Sequence, residues 1–288
     1  MAGRPSNIPQ AARLPFFLDQ WRQVTTNKWV LRVVEEGYKL QFDPDPPPPR
    51  PFIPTSYSPS SSHIIRSLLI DYVDKGAIMV VDIRPDQFVS RIFEVPKKTG
   101  DYRLILDLSD LNLYLKKVHF KMEGLQAISS LISLSDFLAS LDLQDAFLTI
   151  AMHPDFWKYL CFDFEGVRYC FIALVFGLSC APRIFTKLLK VPLSSLRLSG
   201  IRNSAWLDDI ILVGPSSKLP RTSSPEVGNS LNHLALLLNL PKAILSLHNH
   251  CDMLDSFGTL FSSPSQFLLI SFPLSKVYVL LLFLLPSL

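Results

Sequence analysis

The chain has 288 residues, of which 48% are hydrophobic, and its formal net charge is +3. This length is enough for one large domain or two ordinary ones with a sizeable core. A charge of +3 is too small to identify a polyanionic partner, so the distribution of charge along the chain matters more than its total.

The cysteines fit a reduced, intracellular setting, and the two ends of the chain bear on targeting and membrane insertion. No C-x-x-C pair occurs, so no zinc site is predicted, and nothing in the spacing suggests a disulfide framework. The N-terminus carries no long apolar stretch, so no signal peptide is expected. The apolar run 277–285 is far shorter than the roughly 20 residues of a membrane helix, so we interpret it as a core segment or an unconstrained tail, with a membrane anchor as the alternative. Nucleus and cytoplasm remain equally open, and no membrane partner is expected. The four cysteines are Cys161, Cys170, Cys180 and Cys251.

The first 62 residues divide by composition. Apolar and aromatic residues in 1–42 predict an N-terminal segment of one or two short helices. The sequence DPDPPPPRPFIP then removes backbone donors and forbids helix, so residues 43–62 form a Pro/Ser-rich linker. An extended spacer is the preferred interpretation, and an SH3-type ligand is the alternative.

Alternation and turn residues predict the elements that follow. IIRSLLIDYVDKG has one apolar helix face and ends near Gly76. RIFEV and YRLILDL form a hairpin with the basic tip KKTGD, and CFDFEGVRYCFIAL forms a second hairpin around Glu165 and Gly166. PRIFTKLLKVPLSSLR is an amphipathic helix interrupted at Pro192, and AWLDDIILVG is a strand, a tight turn and a strand.

Three aspartates stand beside apolar strands. Asp142 ends the run FLASL, and Asp208 and Asp209 occupy the turn of an apolar hairpin. Two adjacent carboxylates repel each other and lose hydration, which is costly unless a cation compensates. Mg²⁺ prefers a few carboxylates with phosphates and waters, and two such ions about 4 Å apart can activate a hydroxyl and stabilise a leaving pyrophosphate. A pair of surface-turn aspartates is the alternative.

Four segments together resemble the reverse transcriptases. WLDD resembles their Y-x-D-D box, SLDLQDAF their first aspartate motif, LVFGLSCAPRIFTKLL the segment after it, and VPKKTGDYRLILDLSDLN their basic fingers hairpin. The order and spacing fit the family over residues 60–280. The upstream RLPFFLDQWRQVTTNKWVLRVVEEGYKLQF and its proline tract are most similar to DIRS-like retrotransposons, which couple the polymerase to ribonuclease H and a tyrosine recombinase.

The resemblance implies a role for each matching residue. Asp142, Leu143 (through its carbonyl) and Asp208 would hold the metal ions, with Asp209 beside them as a third catalytic carboxylate. Phe147 would exclude a 2′-hydroxyl, and Lys242 would protonate pyrophosphate as it leaves. The nucleotide would be bound by Lys97, Lys98, Arg103, Phe147, Phe176 and Gly177, and the primer and template by Trp206, Lys116, Lys117, Lys121 and Gly258. A plain solvated surface is the alternative for the three lysines of the last group.

The resemblance also implies a fold and partners. We expect an α+β polymerase right hand, with fingers and a palm built as an antiparallel, ferredoxin-like sheet backed by helices, over residues 63–280. The thumb is expected to be missing or vestigial, residues 281–288 to be an apolar tail, and the chain to be a truncated or decayed copy. The expected cofactor is two Mg²⁺ ions, for which Mn²⁺ can substitute. The expected partners are an RNA or DNA template with its primer, deoxynucleoside triphosphates and the element's ribonuclease H and recombinase.

Two departures from the family pattern leave alternatives open. Trp206 stands where tyrosine is usual, and Val175 where proline is usual. Besides an RNA-directed DNA polymerase, the chain could be a catalytically inactive remnant that keeps the fold and nucleic-acid binding. It could also be an interaction module that acts through its N-terminal helices and proline linker.

Overall fold

A computed structural model describes residues 8–97, 100–123, 130–131, 133, 136–214, 231, 234–236 and 243–246. For 137–140, 142 and 243–246 the description covers the backbone and not the side chains. The described residues fall into two compact units. Unit 1 takes those within 1–120, 145–191 and 233–236, and unit 2 those within 121–144, 192–232 and 237–288.

The N-terminal part of unit 1 contains the predicted short helices. A 3₁₀ turn, Leu14–Phe17, leads into α1, Leu18–Val24, and α2, Lys28–Glu36. Asn27 caps α2, because its side-chain oxygen accepts from the backbone N–H groups of Trp29 at 3.0 Å and Val30 at 3.2 Å. Trp21 of α1 is fully buried and donates its indole N–H to the Leu234 carbonyl at 3.2 Å.

The proline-rich segment lies along unit 1. Arg50 donates from Nε to the Val89 carbonyl at 2.9 Å, and its guanidinium lies 4.2 Å from the centre of the Phe88 ring. The buried Arg168 donates to the carbonyl of Pro51. These contacts fix the middle of the predicted spacer to the unit, although its composition is that of a linker.

Helix α3 runs from Pro59 to Asp74 and begins before the predicted start at His63. The Ser58 hydroxyl caps the helix by accepting from Ser61 N at 3.1 Å. Pro59 fits the first helical position, because a backbone N–H there would have no partner within the helix and proline lacks it. Gly76 follows the helix with φ +72°, as the sequence predicts.

Unit 1 also contains two antiparallel sheets. Their strands are β1 Ile78–Val80, β2 Ile92–Pro96, β3 Tyr102–Leu106, β5 Cys161–Phe164 and β6 Val167–Phe171. One sheet has the order β1-β6-β5, and the other is the ribbon β2-β3, which is the predicted basic hairpin. Two short helices, α4 Ser109–Asn112 and α5 Pro154–Trp157, and the 3₁₀ turn Ala146–Thr149 lie between the strands.

A disulfide joins Cys161 of β5 to Cys170 of β6. The two residues are directly opposed in the antiparallel pair, with their Cα atoms 4.1 Å apart. The expectation that no disulfide forms is wrong for this pair. Only the register of the β5–β6 hairpin brings these two cysteines together, and cysteine spacing does not reveal that register.

Helix α6 runs without a break from Ala181 to Leu198, so the predicted interruption at Pro192 is wrong. Proline removes one backbone hydrogen bond, which usually kinks or breaks a helix. Buried leucines lie on both sides of it, Leu188 and Leu189 before and Leu193 and Leu196 after, and their packing stabilises the helix across the defect. The chain passes from unit 1 to unit 2 within this helix, between Val191 and Pro192.

Unit 2 contains the strands β4 Phe137–Asp142, β7 Arg202–Trp206, β8 Asp209–Gly214 and β9 Ala243–Ser246. They form a four-stranded antiparallel sheet of order β7-β8-β4-β9. Ile210, Leu212 and Val213 of β8 are at most 2% exposed, so this strand forms part of the core. Helices with antiparallel sheets make the fold α+β, as predicted. No helix in the part of the chain that the structure describes is long and apolar enough to cross a membrane.

Candidate active site

The Asp-Asp pair lies at a two-residue turn between β7 and β8. Trp206 and Asp209 are the last directly opposed pair, and Leu207 and Asp208 form the loop. Leu207 has φ +55°, a left-handed conformation that costs roughly 1–2 kcal/mol for a residue with a side chain. The predicted strand-turn-strand is therefore confirmed, and its tight turn holds Asp208 at the tip of the hairpin.

The sheet register brings all three predicted aspartates to one end of β4 and β8. Asp142 is the direct partner of Asp209 across the β4–β8 pair. The N–H of Leu143 donates to the carbonyl of Asp208 at 3.0 Å, which ties the residue after β4 to the turn. Asp209 is exposed and Asp208 is half-buried.

This end of the sheet offers oxygen ligands suited to a hard cation. Carboxylates and backbone carbonyls are the groups that bind Mg²⁺, so the residue types fit the expected ion. Among the side chains that the structure describes, no group of three or more His, Cys, Asp or Glu is assembled to hold a metal. The side chain of Asp142 lies outside that set, and the metal site remains a prediction.

Trp206 lies in one row across the sheet with Asp209 and Asp142, because each neighbouring pair is directly opposed. It opposes Asp209 across β7 and β8, and directly opposed side chains leave a sheet on the same face. Its side chain is large and apolar but 50% exposed. An exposed indole beside the carboxylates is available to contact a bound molecule.

Two ionic contacts anchor the strands that carry this row. At the start of β7, Arg202 donates to Asp136 at 2.6 Å. Glu123 accepts from Arg197 at 2.9 Å and from the Ser204 hydroxyl at 2.7 Å. Burial alone would raise the pKa of Glu123, but the hydrogen bonds from Ser204 and Arg197 outweigh burial and lower it.

Unit 1 brings together three of the predicted nucleotide-binding residues, Arg103, Phe147 and Phe176. The guanidinium of Arg103 lies 5.4 Å from the centre of the Phe176 ring. The ring centres of Phe176 and Phe147 are 4.7 Å apart. The ring of Phe147 also packs against that of Phe185 in α6, with the ring centres 5.3 Å apart, and Phe147 is only 5% exposed. Arg103, by contrast, is exposed and so presents a cation above an aromatic platform.

Position 177 requires glycine, because the backbone of β3 approaches it closely. Its φ is +103°, and a Cβ at this position would lie 3.1 Å from the Leu106 carbonyl of β3. Asn112, which no motif of the sequence singled out, secures this loop: it donates to the Gly177 carbonyl at 2.7 Å and accepts from Ser179 N at 2.8 Å. No local signal marks Asn112, because both of its partners are more than 60 residues away.

Asp145 was also missed, although it stands three residues after Asp142 in the same motif. It has φ +48° and begins the 3₁₀ turn that carries Phe147. Gln10 donates to its carboxylate at 2.9 Å and the Lys75 ammonium lies 3.2 Å away. The N-terminal segment thus helps to fix the turn.

The remaining predicted residues lie apart or outside the description. Lys97 is exposed at the hairpin tip, where its N–H donates to the Asp101 carbonyl. The lysines predicted to contact the template are all exposed: Lys116 and Lys117 in unit 1, and Lys121 in unit 2. Lys98, Lys242 and Gly258 lie outside the described residues.

Residues 95–258 match the family described as reverse transcriptase (RNA-dependent DNA polymerase). A Retrovirus-related Pol polyprotein from transposon 412 of Drosophila melanogaster is 25% identical over 175 residues, which cover 59% of this chain and 14% of that protein. A Gag-Pro-Pol polyprotein of Human T-cell leukemia virus 3 is 28% identical over 209 residues, 68% of this chain and 14% of that protein. The Transposon Tf2-3 polyprotein of Schizosaccharomyces pombe is 21% identical over 252 residues, 82% of this chain and 18% of that protein.

The chain thus spans less than one fifth of the length of these three relatives. The family match covers more than half of the chain and includes the tip and second strand of the basic hairpin and the Asp-Asp turn. The chain therefore belongs to the reverse transcriptase (RNA-dependent DNA polymerase) family.

Proposed function

We propose that the chain is the polymerase domain of a retrotransposon, which extends a primer 3′ end with deoxynucleoside triphosphates on an RNA or DNA template. The observation that carries the proposal is the register that opposes Asp142 to Asp209 next to the Asp208 turn. Like charges at directly opposed positions destabilise a sheet, so this arrangement favours a bound cation.

In the proposed site, Asp142, Asp208 and the Leu143 carbonyl would hold two Mg²⁺ ions. When bound, the ions would lower the pKa of the primer hydroxyl and neutralise the charge that develops on pyrophosphate. The protein's own contribution is positioning: the sheet fixes the carboxylates, and the tight turn fixes Asp208. Trp206 would pack under the primer terminus, in the position of the usual tyrosine.

The nucleotide would be bound by the residues of unit 1. Arg103 and Lys97 supply cations for the triphosphate, and an arginine fork matches phosphate oxygens better than a point charge does. Buried Phe147, packed between Phe176 and Phe185, would form the floor that leaves no room for a 2′-hydroxyl. A fixed ring discriminates by exclusion, so the aromatic packing supports selection of deoxynucleotides.

Finer features of the polymerase belong to the same proposal. We assign the β2–β3 ribbon to the fingers and the sheet of unit 2 to the palm, with the thumb and ribonuclease H supplied by other chains or segments. The DIRS-like origin rests on the similarity of the N-terminal segment and proline tract. An intracellular site of action, in the nucleus or cytoplasm, completes it.

Trp206 favours a second candidate, an inactive polymerase that retains nucleic-acid binding. Its indole is larger than the expected phenol, is half exposed and directly opposes Asp209. A displacement of about 1 Å at a reacting centre can cost on the order of 100-fold in rate. This candidate predicts template binding without nucleotide incorporation.

Primer extension on a homopolymer template tests the proposal. The purified chain should incorporate nucleotides with Mg²⁺ or Mn²⁺, and Asp208→Asn should lower incorporation by about 100-fold or more. Asp74→Asn, which changes an exposed aspartate at the end of α3, is the matched control and should leave the rate unchanged. Equal incorporation by Asp208→Asn and the wild type would refute the site, and template binding without any incorporation would favour the second candidate.

A further inference from the structure

The first half of α6 carries cations on the face opposite its buried side. Arg183, Lys187 and Lys190 follow the i, i+4, i+7 spacing that places residues on one face of a helix. Phe185, which contacts Phe147, is two residues from both Arg183 and Lys187, so it points about 160° away from each of them around the helix. Lys187 and Lys190 are exposed and Arg183 is half-buried, so these charges face away from the predicted nucleotide floor.

Helix α2 contacts this face through Trp29 and carries two more exposed cations close to Trp29 in sequence. The Lys187 ammonium lies 3.8 Å from the centre of the Trp29 ring, which docks α2 against α6. Lys28 and Arg32, one residue before and three after Trp29, are both exposed. Lys28, Arg32, Arg183, Lys187 and Lys190 form what we term the α2–α6 basic patch, and all five belong to unit 1.

The nearby carboxylates are engaged by cations outside the patch. Glu35 pairs with Arg22 at 3.3 Å, and Glu36 pairs with Lys39 at 2.7 Å. The hydrogen bond from Lys39 lowers the pKa of Glu36, and Arg32 contributes less. The patch therefore carries an excess of positive charge in a chain whose net charge is only +3.

The cations also act on one another. Burial, and then the charge of Arg183, lower the pKa of Lys187, which means that the two like charges are close enough to repel. Burial raises the pKa of Tyr38 and the charge of Arg183 opposes this rise, so Arg183 lies close to the buried phenol. Mutually repelling cations are stabilised by a ligand with several negative charges at regular spacing.

We propose that the α2–α6 basic patch binds the phosphate backbone of a single-stranded nucleic acid, as a contact surface additional to the residues predicted to bind primer, template and nucleotide. From Arg183 to Lys190 the patch extends about 10 Å along the helix, at 1.5 Å per residue. A polyphosphate strand matches this linear array, and the released counterions drive binding. The indole of Trp29 is covered by Lys187, so the surface reads charge and not base identity.

Salt-dependent binding of labelled single-stranded oligonucleotides tests the proposal. Titrations with RNA and with DNA are made in EDTA without nucleotides, so loss of polymerase activity would not affect them. For the double variant Lys187→Gln, Lys190→Gln, the slope of log affinity against log salt should become shallower by about 1.4, at about 0.7 per lost phosphate contact. Affinity near 0.1 M salt should fall several-fold. Whichever of RNA and DNA loses more affinity is the nucleic acid that the patch prefers.

Two further double variants make the result specific. Arg66→Gln with Lys158→Gln removes two cations that already pair with Glu165 and Asp86, and it should keep the wild-type slope. Lys187→Arg with Lys190→Arg keeps the charge and should also bind as the wild type does. Unchanged thermal unfolding of the Gln variant confirms that it is folded.

Three results would overturn the proposal. The first is a wild-type slope and affinity for the Gln variant. The second is an equal loss in the Arg66 and Lys158 control. The third is a Gln variant that loses binding to vesicles of anionic lipid while keeping oligonucleotide binding, which would assign the patch to a membrane surface.

Discussion

Two hairpins of the molecule carry opposite charges and are built differently. The β7–β8 hairpin has a two-residue turn with Asp208, and its strand β8 is paired on both sides, by β7 and β4. The β2–β3 hairpin is a two-stranded ribbon with Lys97 at its tip and Arg103 exposed on β3. Strand β8 of the acidic hairpin contributes buried residues to a core. In the basic hairpin, three of the five residues of β2 are exposed to solvent.

The difference in structure fits the two proposed functions, metal binding by the acidic hairpin and triphosphate binding by the basic hairpin. Carboxylates that hold cations gain from a rigid frame, because coordination tolerates little displacement. Cations that take up and release a triphosphate need reach and access to solvent. We therefore expect changes in the acidic hairpin to lower kcat and changes in the basic hairpin to raise KM for the nucleotide.

The largest effect is expected at Asp142. Asp142→Asn removes one of two carboxylates assigned to the ions, so kcat for primer extension should fall by at least about 100-fold, the scale on which electrostatic stabilisation acts. Single-turnover extension on a saturating primer-template measures it. A loss below threefold, with normal folding, would remove Asp142 from the site.

Arg103→Ala should come next. Without the guanidinium, KM for the nucleotide should rise at least about tenfold, because a hydrogen bond to a charged group contributes roughly 1.5–3 kcal/mol and about 1.4 kcal/mol is a factor of ten. Arg103→Lys keeps the charge but loses the fork and should lie between wild type and alanine. If KM is unchanged in both variants, Arg103 does not bind the triphosphate.

Trp206→Tyr restores the residue usual in the family and should raise incorporation several-fold, because the smaller ring allows the primer end to approach the carboxylates. Steady-state extension rates at saturating nucleotide measure the gain. A lower rate in the tyrosine variant would show that the hairpin is adapted to tryptophan.

Asn112→Asp should have a smaller effect. It keeps the acceptor for Ser179 N but loses the donor to the Gly177 carbonyl. Loss of one hydrogen bond should lower the free energy of unfolding by about 1 kcal/mol, and the looser Gly177 loop should raise KM modestly. Asn112→Ala, which loses both bonds, should be worse on both counts, and denaturant unfolding compares them.

The smallest effect is a dependence of stability on pH. The lowered pKa of Glu123 contributes stability that is present above its unfolded value of 4.5 and is lost as the pH falls through the lower folded value. Thermal unfolding measured from pH 6 to pH 3 should therefore show a smaller decline for Glu123→Gln than for the wild type. Parallel curves would mean that Glu123 is not held as a carboxylate by Arg197 and Ser204.

Sequence patterns predicted the local elements well. The hairpins around Glu165-Gly166 and Leu207-Asp208 follow from alternation and turn residues, which act over a few positions. The Cys161–Cys170 disulfide, the continuity of α6 through Pro192 and the loop contact of Asn112 were not predicted. Each depends on packing or on strand register, which a single sequence does not encode locally.

The N-terminal segment is a further example. Its helices were predicted, but not its attachment: Ala12 N donates to the Leu148 carbonyl at 2.7 Å, and Tyr38 N to the Ala151 carbonyl at 2.8 Å. These bonds tie the segment to residues more than 100 positions away. They favour a role within unit 1 over an independent interaction module, and deletion of residues 1–60 should therefore unfold unit 1.

The most direct test is the pair of nucleotide kinetic constants for Asp208→Asn and Arg103→Ala, measured side by side on one primer-template. We predict that Asp208→Asn loses kcat by about 100-fold or more with little change in KM, and that Arg103→Ala raises KM with little change in kcat. The account would be contradicted if Asp208→Asn kept wild-type kcat, or if the two variants changed the same constant by the same factor.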